Sequence, residues 1–157
     1  MALSLYQVGK AQVVNLTGIL KYRFEINKEA INQQLKQNVN LQEGPFQELL
    51  YVKCYPIHVE RILDNLLNNA TNAIPIKGGS LSIRTYSDGN WACAEISNTG
   101  LIPEGERLRL LEGEGRGRGI YIIHRIIRAL RGKIEVRVGK NTTTLVVRLP
   151  LHRGEVS

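Results

Sequence analysis

The sequence lacks most of the signals that place a chain in a special class. Its two cysteines, Cys54 and Cys93, stand far apart with no CxxC spacing. That usage suits a reducing cytosol and argues against a zinc site. No apolar run approaches the roughly 18–20 residues that a membrane helix needs, so no membrane contact is expected of this domain. The opening "MALSLYQVGK" has neither the basic start nor the long apolar stretch of a secretory leader, and a cytoplasmic location is expected. Aromatic residues amount to only 6%. With no recognition helix in evidence, this argues against nucleic acid. Neither an internal repeat nor a linker is visible.

What is present fits one folded domain. The chain has 157 residues, 43% hydrophobic and 22% charged, enough to bury a sizeable core. Its formal charge is +7, and ten of its 21 Lys and Arg fall between residues 101 and 140. Such a bias suits nucleic acid, an acidic partner or a phosphate-bearing ligand.

Periodicity predicts the elements. Leu16, Leu20, Phe24, Ile31 and Leu35 recur at helical spacing, which predicts a helix from about Leu16 to Gln37. "NVNLQ" and "ELLYVKC" read as two short strands joined by a turn at Gly44-Pro45. Pro56 stands where a helix can begin, and "IHVERILDNLLNNATNAI" carries the clearest helical pattern, stopped before Gly78-Gly79. "SLSIRTYSDGNWACAEIS" alternates about Asp88-Gly89 as a hairpin does. A loop with one helical turn near Leu108 to Leu111 follows, then a helix over "IYIIHRIIRAL" closed by Gly132, then a final hairpin. This mixture predicts an α+β fold. Residues 1–12 read as a lead-in without a strand, and 13–157 as the domain.

Two features carry chemistry. On the central helix Val59, Ile62, Leu63, Leu66, Leu67, Ala70, Ala73 and Ile74 form one apolar face. Asn65, Asn69 and Asn72 line its edge, with His58 in the same row. Asparagine is a poor helix former, by about 0.5 kcal/mol relative to alanine. The stripe is either a polar border or a row of carbonyl oxygens aimed into a pocket, where hard amide oxygens suit Mg²⁺. The second feature is "GEGRGRG", residues 113–119. It opens a helix, so its backbone N–H groups can approach a phosphate with the helix dipole in support, and Arg116 and Arg118 add cations. A flexible basic surface loop is the other reading. The spacing excludes GxGxxG and the Walker pattern GxxxxGK[ST].

The order of these features resembles the GHKL ATP-binding family, and within it the catalytic domain of a bacterial sensor histidine kinase. "NLLNNATNAIPIKGGSLSIRT" is similar to the asparagine box and its following strand, "ISNTGLIP" to the first glycine box, and "GRGRGIYIIHRI" to the second. The resemblance covers roughly residues 13–151. It implies a two-layer α/β sandwich of the Bergerat type, a mixed sheet with helices on one face, and ATP held between the helix layer and a lid. It further implies that Asn69 ligates Mg²⁺ with Asn65 beside it, that Asn72 lies near the phosphates where many relatives have lysine, and that Gly115, Gly117 and Gly119 cradle the phosphates. Thr143 would lie near the adenine, and residues 103–114 would form a short lid with Leu110 or Leu111 in place of the usual phenylalanine.

The first glycine box departs from the family pattern. Asn98 stands where relatives have the aspartate that accepts from the adenine amino group, Gly100 matches the first glycine, and Leu101-Ile102 replaces the second. Asn98 can accept through its amide oxygen without the charge, or it can simply form a turn with Thr99-Gly100. If it faces the base, Asn98→Asp should tighten adenine binding, unless the amide also donates to a neighbour.

The three histidines, His58, His124 and His152, lack the His-Glu/Asp…Pro setting of a phosphoacceptor. The resemblance therefore implies a kinase domain, a piece of a longer sensor. It would transfer the γ-phosphoryl group to a histidine on a separate dimerisation domain, with a response regulator downstream, and would be inactive alone. No general base is identifiable: Glu60 and Asp64 point away from the asparagine stripe on the wheel. The alternatives are a sigma-factor inhibitor that phosphorylates a serine, and a non-enzymatic module, either a degenerate nucleotide binder without kinase activity or a basic nucleic-acid binder, against which the low aromatic content stands. The strand-free lead-in and the form of the asparagine box favour the sensor kinase over the first.

Overall fold

The computed structural model describes residues 10–34, 36, 38–105, 107, 108 and 118–153. In chain order the elements are β1 (Gln12–Asn15), α1 (Leu16–Gln33), β2 (Val39–Phe46), β3 (Tyr51–Cys54), α2 (Pro56–Ala73), β4 (Gly79–Asp88), β5 (Trp91–Thr99), α3 (Arg118–Ala129), β6 (Lys133–Val138) and β7 (Thr142–Pro150). A five-stranded sheet has the order β2-β4-β5-β7-β6, and β1 pairs with β3 in a separate two-stranded sheet. β2 runs parallel to β4, while the other pairings of the large sheet are antiparallel. The fold is the expected α+β sandwich with a mixed sheet.

The core lies between the sheet and the helices. Ile83, Ile96, Leu145 and Val136 form one cross-strand row over β4, β5, β7 and β6. The apolar face of α2 packs on this side as its periodicity predicts. Ile62, Leu63, Leu66 and Leu67 are fully buried, and each such side chain contributes about 1.5–3 kcal/mol. α1 packs along the other flank of α2. Arg23 donates to Asp64 at 2.7 and 2.6 Å and to Glu60 at 3.4 Å, and Asn27 Nδ2 donates to Thr71 at 2.8 Å. Glu60 and Asp64 thus belong to the helix–helix contact, away from the asparagine stripe.

The opposite sheet face is covered by its own charges. Arg84 and Tyr86 both donate to Glu95. Arg137 donates to Glu135 at 2.7 Å, and Arg148 bridges Glu135 at 3.1 Å and Asp88 at 2.9 Å.

Several local expectations change. β1 is a strand the sequence reading missed: it begins at Gln12, so the segment before α1 is not strand-free. Only its pairing with β3 makes it a strand, and four residues carry no periodicity to read. Asn15, its last residue, caps α1 by accepting from Thr17 N at 3.2 Å. α1 ends at Gln33 rather than Gln37, because Ile31 is its last buried side chain. Leu35 and Gln37 lie outside the described residues. Gly44-Pro45 is no turn between neighbouring strands. β2 continues through it to Phe46 with a break in register after Glu43, and β3 joins the other sheet. The β4–β5 hairpin closes one residue later than expected, through Gly89-Asn90, with Asp88 opposite Trp91. The helical turn after β5 begins at Glu104, and Arg109 to Leu111 lie outside the described residues.

Both cysteines are buried and unpaired with each other. Burial pushes the Cys54 thiol up to about 12 and raises that of Cys93. Since the thiolate is the nucleophile, neither should react with iodoacetamide at pH 8 in the native protein, and both should react after unfolding in urea. Mass spectrometry of the alkylated chain reads the difference.

The end of α3 yields a second prediction. Gly132 N donates to Ile127 O at 2.8 Å and Arg131 N to Arg128 O at 3.0 Å, the paired bonds of a Schellman motif. The left-handed position falls on Arg131, with φ 59°, rather than on the glycine. Gly132 serves another need: a Cβ there would lie 2.6 Å from Arg148 O. Arg131→Gly should therefore stabilise the chain by about 0.5–1 kcal/mol, whereas Gly132→Ala should destabilise it by about 2 kcal/mol or more. Urea unfolding of the two variants checks the opposite signs.

Candidate functional site

The last turns of α2 and the end of β5 meet through a glycine. Gly100, at φ 105°, comes so close to α2 that a Cβ would lie 2.0 Å from Ala73 O. Its N–H donates to Asn141 O at 2.6 Å. Its carbonyl accepts from Thr143 Oγ1 at 3.0 Å and from Asn98 Nδ2 at 3.2 Å. No other residue fits there, because both the conformation and the space exclude a side chain.

Asn98, Gly100 and Thr143 are therefore one cluster. Asn98 lies in the β-sheet row between Leu81 and Thr143, on the helix-facing side, and is 1% exposed. Its Nδ2 donates to Thr99 O at 2.9 Å as well as to Gly100 O, while its Oδ1 is buried with no hydrogen-bond partner. Thr143 is fully buried, and its hydroxyl also accepts from Ile102 N at 3.2 Å. It fastens the start of the following loop to β7. Ile102, in the stretch that replaces the second glycine, is buried in the core, while Leu101 stays exposed.

On α2, Asn65 and Asn69 are half-buried and Asn72 is exposed. Asn69 Nδ2 donates to Asn65 Oδ1 at 3.1 Å. This fixes the pair as neighbours and leaves the Asn69 carbonyl oxygen on the opposite side of its amide. Asn72 Oδ1 accepts from Gln34 Nε2 at 2.9 Å, so α1 reaches the end of the stripe. His58, in line with the stripe, is a buried residue set edge-on to the Tyr55 ring at 5.2 Å. Lys36, which the sequence reading did not single out, donates to Thr71 O, where a cation suits the helix end. Burial lowers its pKa. Only the turn after α1 carries it there, so no sequence spacing could show it.

Gly115, Arg116 and Gly117 lie outside the described residues, as do Leu110 and Leu111. Arg118 and Gly119 form the first turn of α3, so the glycine run does lead into a helix N-terminus. Among the described residues no three His, Cys, Asp or Glu side chains gather as a metal site, and no helix is long and apolar enough to cross a membrane.

Comparison with known proteins supplies the context. A family model described as histidine kinase-, DNA gyrase B-, and HSP90-like ATPase matches residues 54–153. No curated protein sequence matches the chain. Among solved structures, the catalytic domain of the histidine kinase ThkA is 20% identical with a TM-score of 0.73, over 90% of this chain and 96% of that one. A mycobacterial sensor histidine kinase, MprB, is 21% identical with a TM-score of 0.73, over 90% and 97%. Full-length ShkA in complex with AMPPNP is 18% identical with a TM-score of 0.74, over 92% of this chain but 32% of that one. These likenesses establish the fold. The matched span runs from β3 to the end of β7 and takes in the asparagine stripe, the Gly100 cluster and the glycine run. The chain belongs to the histidine kinase-, DNA gyrase B- and HSP90-like ATPase family.

Proposed function

We propose that the chain binds Mg·ATP and transfers its γ-phosphoryl group to a histidine on a separate phosphoacceptor domain, with a response regulator further downstream. One observation carries the nucleotide reading: the buried, unpartnered Oδ1 of Asn98. A buried acceptor without a donor costs about 1–3 kcal/mol, and the exocyclic amino group of adenine is a donor that would remove that cost. Asn98 would hold the base, with Gly100 and Thr143 keeping its strand end and loop in place. Asn69, with Asn65 beside it, would hold Mg²⁺. Two neutral amides bind a divalent ion weakly, so the phosphates must supply the remaining oxygens. When bound, the ion neutralises charge on the phosphates. Asn72 would lie near the phosphates, and the backbone of Gly115, Gly117 and Gly119, with Arg116 and Arg118, would cradle them.

The acceptor histidine comes from elsewhere. His58 is buried in α2, His124 belongs to α3, and the backbone N–H of His152 is bound to Tyr51 O at 2.8 Å. The attacking imidazole must be brought within about 3–3.5 Å of the γ-phosphorus, which is the task of a docked partner domain.

Calorimetric titration with a non-hydrolysable ATP analogue tests the binding. Asn69→Ala should weaken affinity about tenfold or more with Mg²⁺, a loss of about 1.4 kcal/mol, and change it little without Mg²⁺. No heat from a chain whose fold is confirmed by circular dichroism would overturn the reading. Equal losses with and without the ion would make Asn69 structural.

Radiolabel transfer tests the second half. The chain alone should not label itself from ATP. Mixed with the phosphoacceptor domain of its parent kinase, it should place acid-labile label on that domain. Acid-stable label on a partner serine would instead support a sigma-factor-inhibitor type of kinase.

A further inference from the structure

The segment that contains α3 carries charge of one sign. From Gly115 to Ile134 the chain has six Lys and Arg and no Asp or Glu, so no pair of opposite sign can form within it. The sheet behaves otherwise. Arg84, Arg137 and Arg148 each meet a carboxylate on their own face. Among the described residues Arg128 and Arg131 have no such partner, and both are exposed.

The same helix borders an open groove. Between α3 and the start of β6 lies a space of about 320 Å³, lined by His124, Ile127, Arg128, Gly132, Lys133 and Ile134. His124 and Arg128 are one helical turn apart, on one side of α3. Ile127 is 3% exposed and Ile134 is half-buried, so the apolar part of the groove is recessed. Lys133 holds its ammonium over the Trp91 ring at 5.4 Å. The rim therefore takes its charge from Arg128, with Arg131 joined to it through Gly132. We infer that this groove is a docking surface for an acidic segment of a partner protein, one apolar side chain entering between α3 and β6 while flanking carboxylates pair with Arg128 and Arg131.

The shape and the charge select that occupant. A recessed apolar floor beneath a cationic rim is complementary to a protruding apolar side chain with carboxylates beside it. Arginine holds a carboxylate through two parallel hydrogen bonds, and two arginines near one helix end repel each other until an anion arrives. A bilayer fits less well. None of the large exposed hydrophobic side chains among the described residues lines the groove, so nothing here protrudes into lipid. A nucleic-acid strand also fits less well, since isoleucine offers no ring on which a base can stack. Attraction of a cation to the C-terminal end of α3 accounts for a basic last turn, but not for the groove beside it. The glycine run leads into the other end of α3, so the inference is independent of the nucleotide reading.

A short fluorescein-labelled peptide with glutamates on both sides of a central leucine tests it, by fluorescence anisotropy with the whole chain. The peptide should bind, and more weakly as salt rises. Arg128→Glu should reduce its affinity at least about tenfold and leave the melting temperature and the affinity for the ATP analogue unchanged. Glutamine in place of the glutamates, or alanine in place of the leucine, should each weaken binding. In the isotope-labelled natural chain the peptide should shift the backbone NMR signals of Ile127, Arg128 and Ile134. No binding, equal binding of the glutamine peptide, unchanged affinity of the variant, or shifts confined to other surfaces would overturn the inference. A variant that loses peptide and ATP analogue together would place Arg128 in the nucleotide site instead. Tighter binding of phosphatidylglycerol vesicles or of oligo-thymidine than of the peptide, abolished by the same substitution, would give the groove to lipid or nucleic acid and overturn the acidic segment. If the ATP analogue binds neither chain, the nucleotide reading falls and the peptide result stands by itself.

Discussion

The close approach of Gly100 to the Ala73 carbonyl holds the helix layer and the sheet together at one end of the molecule. An apolar helix can slide or rotate on a sheet at modest expense, because dispersion contacts are not directional. A backbone-to-backbone contact that excludes even a Cβ allows neither. It fixes the last turn of α2 against the end of β5, two residues beyond Asn98. The hydrogen bonds from Gly100 N to Asn141 O and from Thr143 to Gly100 O then bring the β6–β7 turn into the same unit. Three segments distant in sequence, the end of α2, the end of β5 and the β6–β7 hairpin, share one fixed point.

The sheet's two faces solve different problems. Toward the helices, burial of Leu, Ile and Val supplies the stability. On the other face no second layer is present among the described residues, and Arg84, Arg137 and Arg148 interlock with Glu95, Glu135 and Asp88. Partly exposed ion pairs contribute little individually, about 0–1 kcal/mol each. Glu95, with its side chain 11% exposed, is the exception, since a carboxylate buried that far depends on its donors. Within this network three positive and three negative side chains balance, and much of the surplus positive charge of the chain falls in residues 101–131.

The sequence showed the elements whose residues signal by periodicity or by turn chemistry. The apolar face of α2, the β4–β5 hairpin and the β6–β7 hairpin were legible because each is local. β1 was not, since a strand of four residues exists only through a partner nearly forty residues away. Gly44-Pro45 misled for the opposite reason: its turn chemistry is real, but the chain uses it to bend a strand rather than to reverse it. At the site, the asparagine stripe and the Asn98–Gly100–Thr143 set were legible as residue types in order. The direction of the Asn98 amide was not, because it is set by two backbone carbonyls, and every residue has one. Lys36 escaped notice on the same grounds, its partner being the Thr71 carbonyl. Arg131 was hidden behind Gly132, since two adjacent residues competed for one left-handed position and the glycine was needed for space.

The break in β2 has a consequence for how this domain can meet others. β2 is an edge strand of the large sheet, and its register with β4 shifts between Glu43 and Phe46. Pro45 in that interval offers no backbone N–H to an incoming chain. The other edge, β6, alternates Lys133, Glu135 and Arg137 with its apolar residues, and charges along an edge discourage strand pairing. Growth of the sheet by addition of a foreign strand is thus discouraged at both margins. An associating domain has to seat itself on side-chain surfaces, where it can dissociate and return without unzipping a ladder of backbone bonds.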